Sequence, residues 1–194
     1  MKVFFDKIAI FNDKTIKMST QKSIFTTTAF KAINEYLADG STQNIENQKI
    51  PEELKKEAAC FVTLKTDTNK LRGCIGTLYP VYKNIYIEII KNAVASAVRD
   101  YRFEPLTKKE LKNLEISVEI LHPPEEIDDI SLLNPKIYGA IIADKHGKRG
   151  VLLPDIEGID TIEEQIKIIK RKAGIIQTSD EGLQFFRFKT EKFY

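Results

Sequence analysis

The residues with the clearest chemical potential lie in one run, Leu71-Arg72-Gly73-Cys74-Ile75-Gly76. In an extended strand alternate side chains share a face, so Arg72 and Cys74 point one way while Leu71 and Ile75 are expected to point into the core. A guanidinium beside a thiol favours the thiolate, the nucleophilic form. Glycine is unfavourable inside a strand unless something approaches the backbone closely, so Gly73 and Gly76 mark a place where a ligand can meet backbone N–H groups. Taken together the pattern describes an anion pocket with a reactive thiol. Cys74 is its candidate catalytic group, and Arg72, Gly73 and Gly76 are candidate ligand contacts. The same residues also suit a structural role. Free cysteine is among the most buried residue types, paired glycines relieve packing, and an arginine on a strand pairs readily with a neighbouring carboxylate.

Other side chains can complete such a pocket. Asp100 and Arg102 flank Tyr101 just beyond a helical segment; they can face Arg72, or pair with each other across a turn. Glu115, Ser117 and Glu119 share one face of a strand. If that face adjoins the hexapeptide, Glu119 or Glu115 is expected to bind Arg72; otherwise it is a solvated sheet face. His122 and His146 have no partners at ligand spacing, so no metal site is expected. No P-loop, dinucleotide fingerprint or Gly-x-Ser-x-Gly elbow occurs, and no cofactor is expected. Lys167, Lys170, Arg171 and Lys172 cluster on one helix, as a solvated basic face or as a contact for an anionic partner.

The elements that must hold these residues follow from periodicity. Phe30, Ile33 and Leu37 recur at helical spacing over 23–38, with Gly40 placed to end the helix. The polar stretch 41–49 reads as a loop, and Pro51 opens a short helical turn. Residues 60–65 and 71–78 form a hairpin around the turn 67–70. Ile85, Ile89, Ala93 and Ala97 form the apolar stripe of a helix over 83–98. A short helix near 107–111 leads into the strictly alternating strand 114–120, which Pro123-Pro124 ends. A second hairpin, 138–143 with 150–153, encloses a Gly-containing turn. A helix over 161–173 ends at Gly174, and a last strand over 183–190 carries Phe186 and Phe188 on one face. Hairpins interspersed with helices, without βαβ alternation, predict an α+β fold with antiparallel sheets and packed helices.

Composition narrows the function classes. The 194 residues carry 30 Lys and Arg against 28 Asp and Glu, a net charge of +2 with no basic block. Binding of nucleic acid by counterion release over a broad surface is therefore not indicated, although a local patch is compatible with these numbers. The two cysteines do not make a disulfide framework and fit a reducing compartment. Lys2, Asp6 and Lys7 interrupt the apolar N-terminus, and no run of about 18 uncharged apolar residues follows, so neither a signal peptide nor a membrane span is expected. The chain is expected in the cytoplasm. Val3, Phe5, Ile8 and Ile10 suggest a strand or arm, so residues 1–22 are read as an extension packed on a single domain over 23–194.

Beyond the hexapeptide, four further segments carry a family resemblance. Arg99-Asp100-Tyr101-Arg102-Phe103-Glu104-Pro105 resembles the Arg-Asp-x-Arg-Phe-x-Pro segment of the AMMECR-type domain family. The strand 114–123 running into His122-Pro123, the run Arg149-Gly150-Val151-Leu152-Leu153-Pro154 and the aromatic strand 183–193 resemble further family segments, in the family's order. The resemblance spans 23–194. It implies two interlocked subdomains with the hexapeptide strand near the cleft between them. It also implies a pathway shared with a Memo-type protein and a radical-SAM enzyme, in a family whose biochemical activity is not established. Asp155-Ile156-Glu157 stands where the family commonly has Gln-Val-Ala, and the chain contains no Trp.

Two readings of function follow. One is an enzyme or ligand-binding domain with a pocket at the hexapeptide, taking a small anionic ligand through Arg72, Gly73, Gly76, Asp100, Arg102 and Glu119, with Cys74 as its thiol. The other is a non-catalytic module that binds a protein or nucleic acid through the cleft.

Overall fold

The computed structural model describes residues 23–176 and 179–194, so the arm expected over residues 1–22 lies outside the described residues. Two four-stranded antiparallel sheets form the frame. In the first, the hairpin β1 (Ala59–Thr66) and β2 (Leu71–Gly76) is extended by β3 (Leu114–Leu121) and β8 (Thr190–Phe193), in the order β2-β1-β3-β8. Alternation on β1 sends Cys60, Val62 and Leu64 to one face, where α1 (Ile24–Asp39) and α3 (Ile85–Val98) cover them. Each helix is started by a side-chain cap: Ser23 Oγ accepts the N–H of Thr26, and Asn84 Oδ1 accepts that of Ile87. Ile85, Ile89, Ile90 and Ala93 of α3 are fully buried against this face, at about 1.5–3 kcal/mol of transfer free energy for each isoleucine.

The second sheet has the order β4-β7-β5-β6, from β4 (Glu125–Ile127), β7 (Leu183–Phe188), β5 (Gly139–Asp144) and β6 (Arg149–Leu152). The helix α5 (Ile162–Ala173) lies on one side, packing Ile166 and Ile169 on Ala140, Ile142 and Phe185. Between the sheets a third apolar cluster joins Ala59, Leu121 and Phe61 of the first to Ile141, Phe188, Phe186 and Val151 of the second. Among the described residues no helix is long and apolar enough to cross a membrane.

The lobes interlock because the chain passes between the sheets twice, side by side. β3 continues through His122-Pro123-Pro124 into β4, and β7 continues through Lys189 into β8. Leu121 pairs with Thr190 in the first sheet and Glu125 with Arg187 in the second, bridged by His122 N–H to the Lys189 carbonyl at 3.0 Å. The proline-bearing strand fits one extra residue into this corner, which turns the ribbon from one sheet to the other. The single strand expected over 183–190 is thus two strands, with the break at the corner residue Lys189. Within the stretch read as a loop, α2 (Gln43–Glu46) forms one turn because Glu35 of α1 accepts the N–H groups of Asn44 and Ile45 at 2.9 and 3.0 Å. A cap supplied from another helix leaves no local sequence signal.

The hexapeptide is β2, at the edge of the first sheet. Its register against β1 slips between Leu64 and Lys65, where Gly73 and Leu71 are successive partners and Arg72 is the extra residue. This bulge carries Leu71 out of the core, leaving it 40% exposed, whereas the sequence pattern placed it inward with Ile75. Gly73 faces α3 so closely that a Cβ would lie 2.2 Å from the Ser96 carbonyl oxygen. Replacing Gly73 with Ala forces backbone against backbone, and the expected loss is about 2–3 kcal/mol in urea unfolding. An unchanged midpoint for Gly73→Ala contradicts this packing.

Candidate functional site

An edge strand exposes backbone groups that its sheet does not pair. For β2 the end of α3 and the turn beyond it supply the partners. Ser96 Oγ accepts the N–H of Ile75 and donates to the Val62 carbonyl, both at 2.8 Å. Asp100 Oδ2 accepts the N–H of Cys74 at 2.9 Å, and Arg102 Nη2 donates to the Cys74 carbonyl at 3.3 Å. Asp100 is only 4% exposed, and it also accepts Arg102 Nη2 at 2.6 Å and Nε at 2.9 Å. The Arg102 guanidinium, helped by the N–H of Cys74, holds the Asp100 carboxyl down to about 2 against the opposing effect of burial.

Arg72 is held apart from this pair. Its Nε donates to Glu110 Oε1 at 3.0 Å, and its side chain is 15% exposed. Glu110 also closes the capping box of α4 (Lys108–Leu111) with Thr107, so the arginine is tied to a helix start. The Phe103 ring lies under both guanidinium groups, 5.9 Å from that of Arg72 and 5.4 Å from that of Arg102.

Cys74 points away from the α3 face, toward the space between the sheets, half-buried, with its Sγ 3.3 Å from Thr63 Oγ1 on the paired strand. A second cation, on the other lobe, lies within range of its charge. Lys172 of α5 donates to the Val151 carbonyl of β6 at 2.9 Å, and its ammonium feels both Cys74 and Arg102. Partial burial lowers the Lys172 pKa; a thiolate at Cys74 would raise it, and the Arg102 charge lowers it further. Both cations therefore cap carbonyls of edge strands, Arg102 on β2 and Lys172 on β6. Cys60 is the contrast. It faces α3 and is fully buried, and burial pushes its thiol up to about 12.

Of the residues singled out from the sequence, the fold gathers Cys74, Asp100 and Arg102. Arg72 is adjacent but bound to Glu110, a helix-cap carboxylate and not the strand carboxylate expected. Glu119 is buried on the face opposite α3, yet its partners are Thr190 Oγ1 at 2.7 Å and Lys192 Nζ at 4.0 Å, both belonging to β8. It does not meet Arg72. Backbone access for a ligand, expected at Gly73 and Gly76, is taken up by the protein itself. A Cβ on Gly73 meets Ser96, and one on Gly76 meets the Phe61 ring at 2.3 Å and the Cys60 carbonyl at 2.5 Å. Thr63 is the addition, and Lys172 comes from the basic cluster read as a solvated face or as a contact for an anionic partner. Lys172 is exposed like Lys167 and Arg171, and only its position three residues from buried Ile169, beside the apolar stripe of α5, could have marked it out. The basic cluster is not uniform either, because Lys170 is buried and paired with Asp180 at 2.6 Å.

Three of the resembling segments thus meet at one place: β2, the Asp100–Arg102 turn and the β6 strand. The model of the AMMECR1 family matches residues 26–193. The chain belongs to that family. A protein of Thermotoga maritima is 46% identical over 167 residues, covering 85% of this chain and 94% of its own length. A Clostridium acetobutylicum protein is 37% identical over 174 residues, which are 89% of this chain and 36% of that longer relative. The crystal structure of the uncharacterised protein PH0010 of Pyrococcus horikoshii is similar with a TM-score of 0.73 at 30% identity, over 87% of this chain and 88% of that one. The AMMECR1 architecture is thus the mixed helix and antiparallel-sheet frame described above.

The Asp100 carboxylate has a consequence for acid stability. A carboxyl held near 2 in the fold, against 3.8 ordinarily, stabilises the folded chain above pH 4 and loses that contribution as pH falls toward 2. Arg102 is 43% exposed, so screening by solvent limits the contribution to about 1–2 kcal/mol. Asp100→Asn is expected to lower stability by that order at pH 7 and to flatten the stability profile between pH 4 and 2, read by urea unfolding at each pH. A variant whose profile keeps the wild-type slope assigns the acid sensitivity to another group.

Proposed function

We propose that this AMMECR1-family chain is a ligand-binding domain for a small anion, seated where the hexapeptide strand meets the second lobe. One observation carries the reading: the carbonyls of two edge strands, Cys74 on β2 and Val151 on β6, are each capped by a cation, Arg102 and Lys172, and the Arg102 charge acts on Lys172. Asp100 neutralises Arg102, but no carboxylate is paired with Lys172 among the described ion pairs. Like charges kept close repel, and an anion between them turns that repulsion into two charge-assisted hydrogen bonds. Arg102 and Lys172 orient the anion. Cys74 lies beside it, able to donate its S–H. Arg72 keeps the Phe103 platform and α4 in place and is a positioning residue here.

Thiol alkylation separates this reading from a merely structural cysteine. Iodoacetamide is expected to modify Cys74 in the folded protein and to spare Cys60, whose thiol is buried and pushed up to about 12. Millimolar pyrophosphate should slow the modification of Cys74, and Lys172→Gln should abolish that protection, with peptide mass spectrometry as the readout. Alkylation of Cys74 at one rate with and without pyrophosphate tells against an anion at this position.

A further inference from the structure

We infer that the ligand of this site is a nucleoside phosphate, with its phosphate charge at Lys172 and Arg102 and its planar base at Tyr79. The inference rests on the anion reading above and extends it along β6.

Arg149 and Val151 are two residues apart on β6 and share a face, about 7 Å from each other along the strand. Val151 offers the carbonyl that holds Lys172. Arg149 reaches across to the first lobe, where its Nη1 donates to Tyr79 Oη at 3.2 Å and its guanidinium lies 5.7 Å above the Tyr79 ring. Two cations are therefore tied to β6, Lys172 at the Val151 carbonyl and Arg149 two residues away beside Tyr79. No ion pair of the described residues involves Arg149 or Lys172. With Arg102 matched by Asp100, two cations are left uncompensated. A ligand of two or more negative charges balances them, and a single carboxylate does not.

The Tyr79 end suits a ring. Tyr79 is 44% exposed and, with Leu78, Pro80, Leu121 and Pro123, lines a cavity of ≈ 400 Å³. Its lining is mostly apolar, with Lys56, Glu57 and His122 as the polar exceptions, and suits a ring that carries polar edges. The loop that carries Tyr79 is also held firmly. Glu88 is fully buried and accepts the N–H groups of Val81 and Tyr82, each at 3.0 Å, as well as the hydroxyl of Thr77. A buried carboxylate committed to fixing a half-exposed aromatic loop gives the ring a prearranged face to stack on, without ordering cost at the moment of binding.

Isothermal titration with pyrophosphate, ADP and UDP tests the class. Stacking of one base on an aromatic side chain strengthens binding by about tenfold, so ADP or UDP is expected to bind about tenfold tighter than pyrophosphate. Tyr79→Leu should remove that advantage and leave pyrophosphate binding within about twofold of the wild type. Arg149→Gln should weaken the nucleotide more than pyrophosphate, and Lys172→Gln should weaken all three ligands. Circular dichroism checks that each variant is folded. Equal affinities for pyrophosphate and both nucleotides, or a nucleotide advantage that survives Tyr79→Leu, overturn the base at Tyr79 and leave the anion site standing. Absence of binding by all three ligands overturns the anion site as well.

Discussion

The open edge of β2 is the constraint on which the rest of this structure depends. A strand at a sheet edge leaves backbone donors and acceptors unpaired, and in a half-buried position each unpaired group costs about 1–3 kcal/mol. Here Ser96, Asp100 and Arg102 take up those groups, all from the last turn of α3 and the residues just after it. That requirement explains why α3 approaches so closely that only glycine fits at position 73. It also explains why a carboxylate is buried at position 100, since Asp100 alone can accept from the strand and the guanidinium together. The thiol of Cys74 is fixed as a by-product, because its own N–H and carbonyl are the groups being satisfied.

The same logic recurs in the second lobe with the opposite result for charge. The Val151 carbonyl on β6, another edge strand, is met by Lys172. On the first lobe the capping cation brings its own carboxylate, and on the second it does not. Two unit charges 4 Å apart interact by about 4 kcal/mol at the effective dielectric of a protein surface, so even at longer separations the imbalance is not negligible. Stability alone gives no reason to cap Val151 with an ammonium that has no carboxylate partner among the described ion pairs, since a threonine or glutamine could cap it equally well. A bound anion gives one.

Much of this fold was legible in the sequence, because alternation and helical spacing are local. The β1–β2 hairpin, the apolar stripe of α3, the strand 114–120 and the Gly174 helix end all occur where those patterns place them. What was not legible depends on register or on partners from elsewhere. Leu71 was read inward because a regular strand puts it with Ile75, and a bulge at Arg72 reversed that. The strand 183–190 was read as one because Phe186 and Phe188 share a face, while the corner at Lys189 is set by the pairing with the Pro123-Pro124 strand. At the site, the pairing of Asp100 with Arg102 across a turn was one of two roles visible for them, and the meeting with Arg72 was the other, which Glu110 takes instead. The glycines were visible too, but their reason is packing against Ser96 and Phe61, which spacing cannot distinguish from ligand access. Lys172 belongs to a lobe whose placement no local pattern fixes.

That placement bears on how the site works. Two lobes joined by a single linker move freely, and a site between them forms only on closure. Here the lobes share a ribbon of two adjacent chain passages and an apolar cluster with Leu121, Ile141 and Phe188 at its centre, all at most 5% exposed. Opening the cleft means exposing that cluster and breaking the pairing around Leu121 and Thr190, so large domain motion is costly. The Arg102–Cys74–Lys172 arrangement is consequently built at folding and not at binding. Preorganisation of this kind keeps the two cations together without a ligand, and it makes the geometry of the mouth depend on a corner far along the chain. A change at Pro123, Pro124 or Lys189 would shift Lys172 relative to Cys74 without touching either residue.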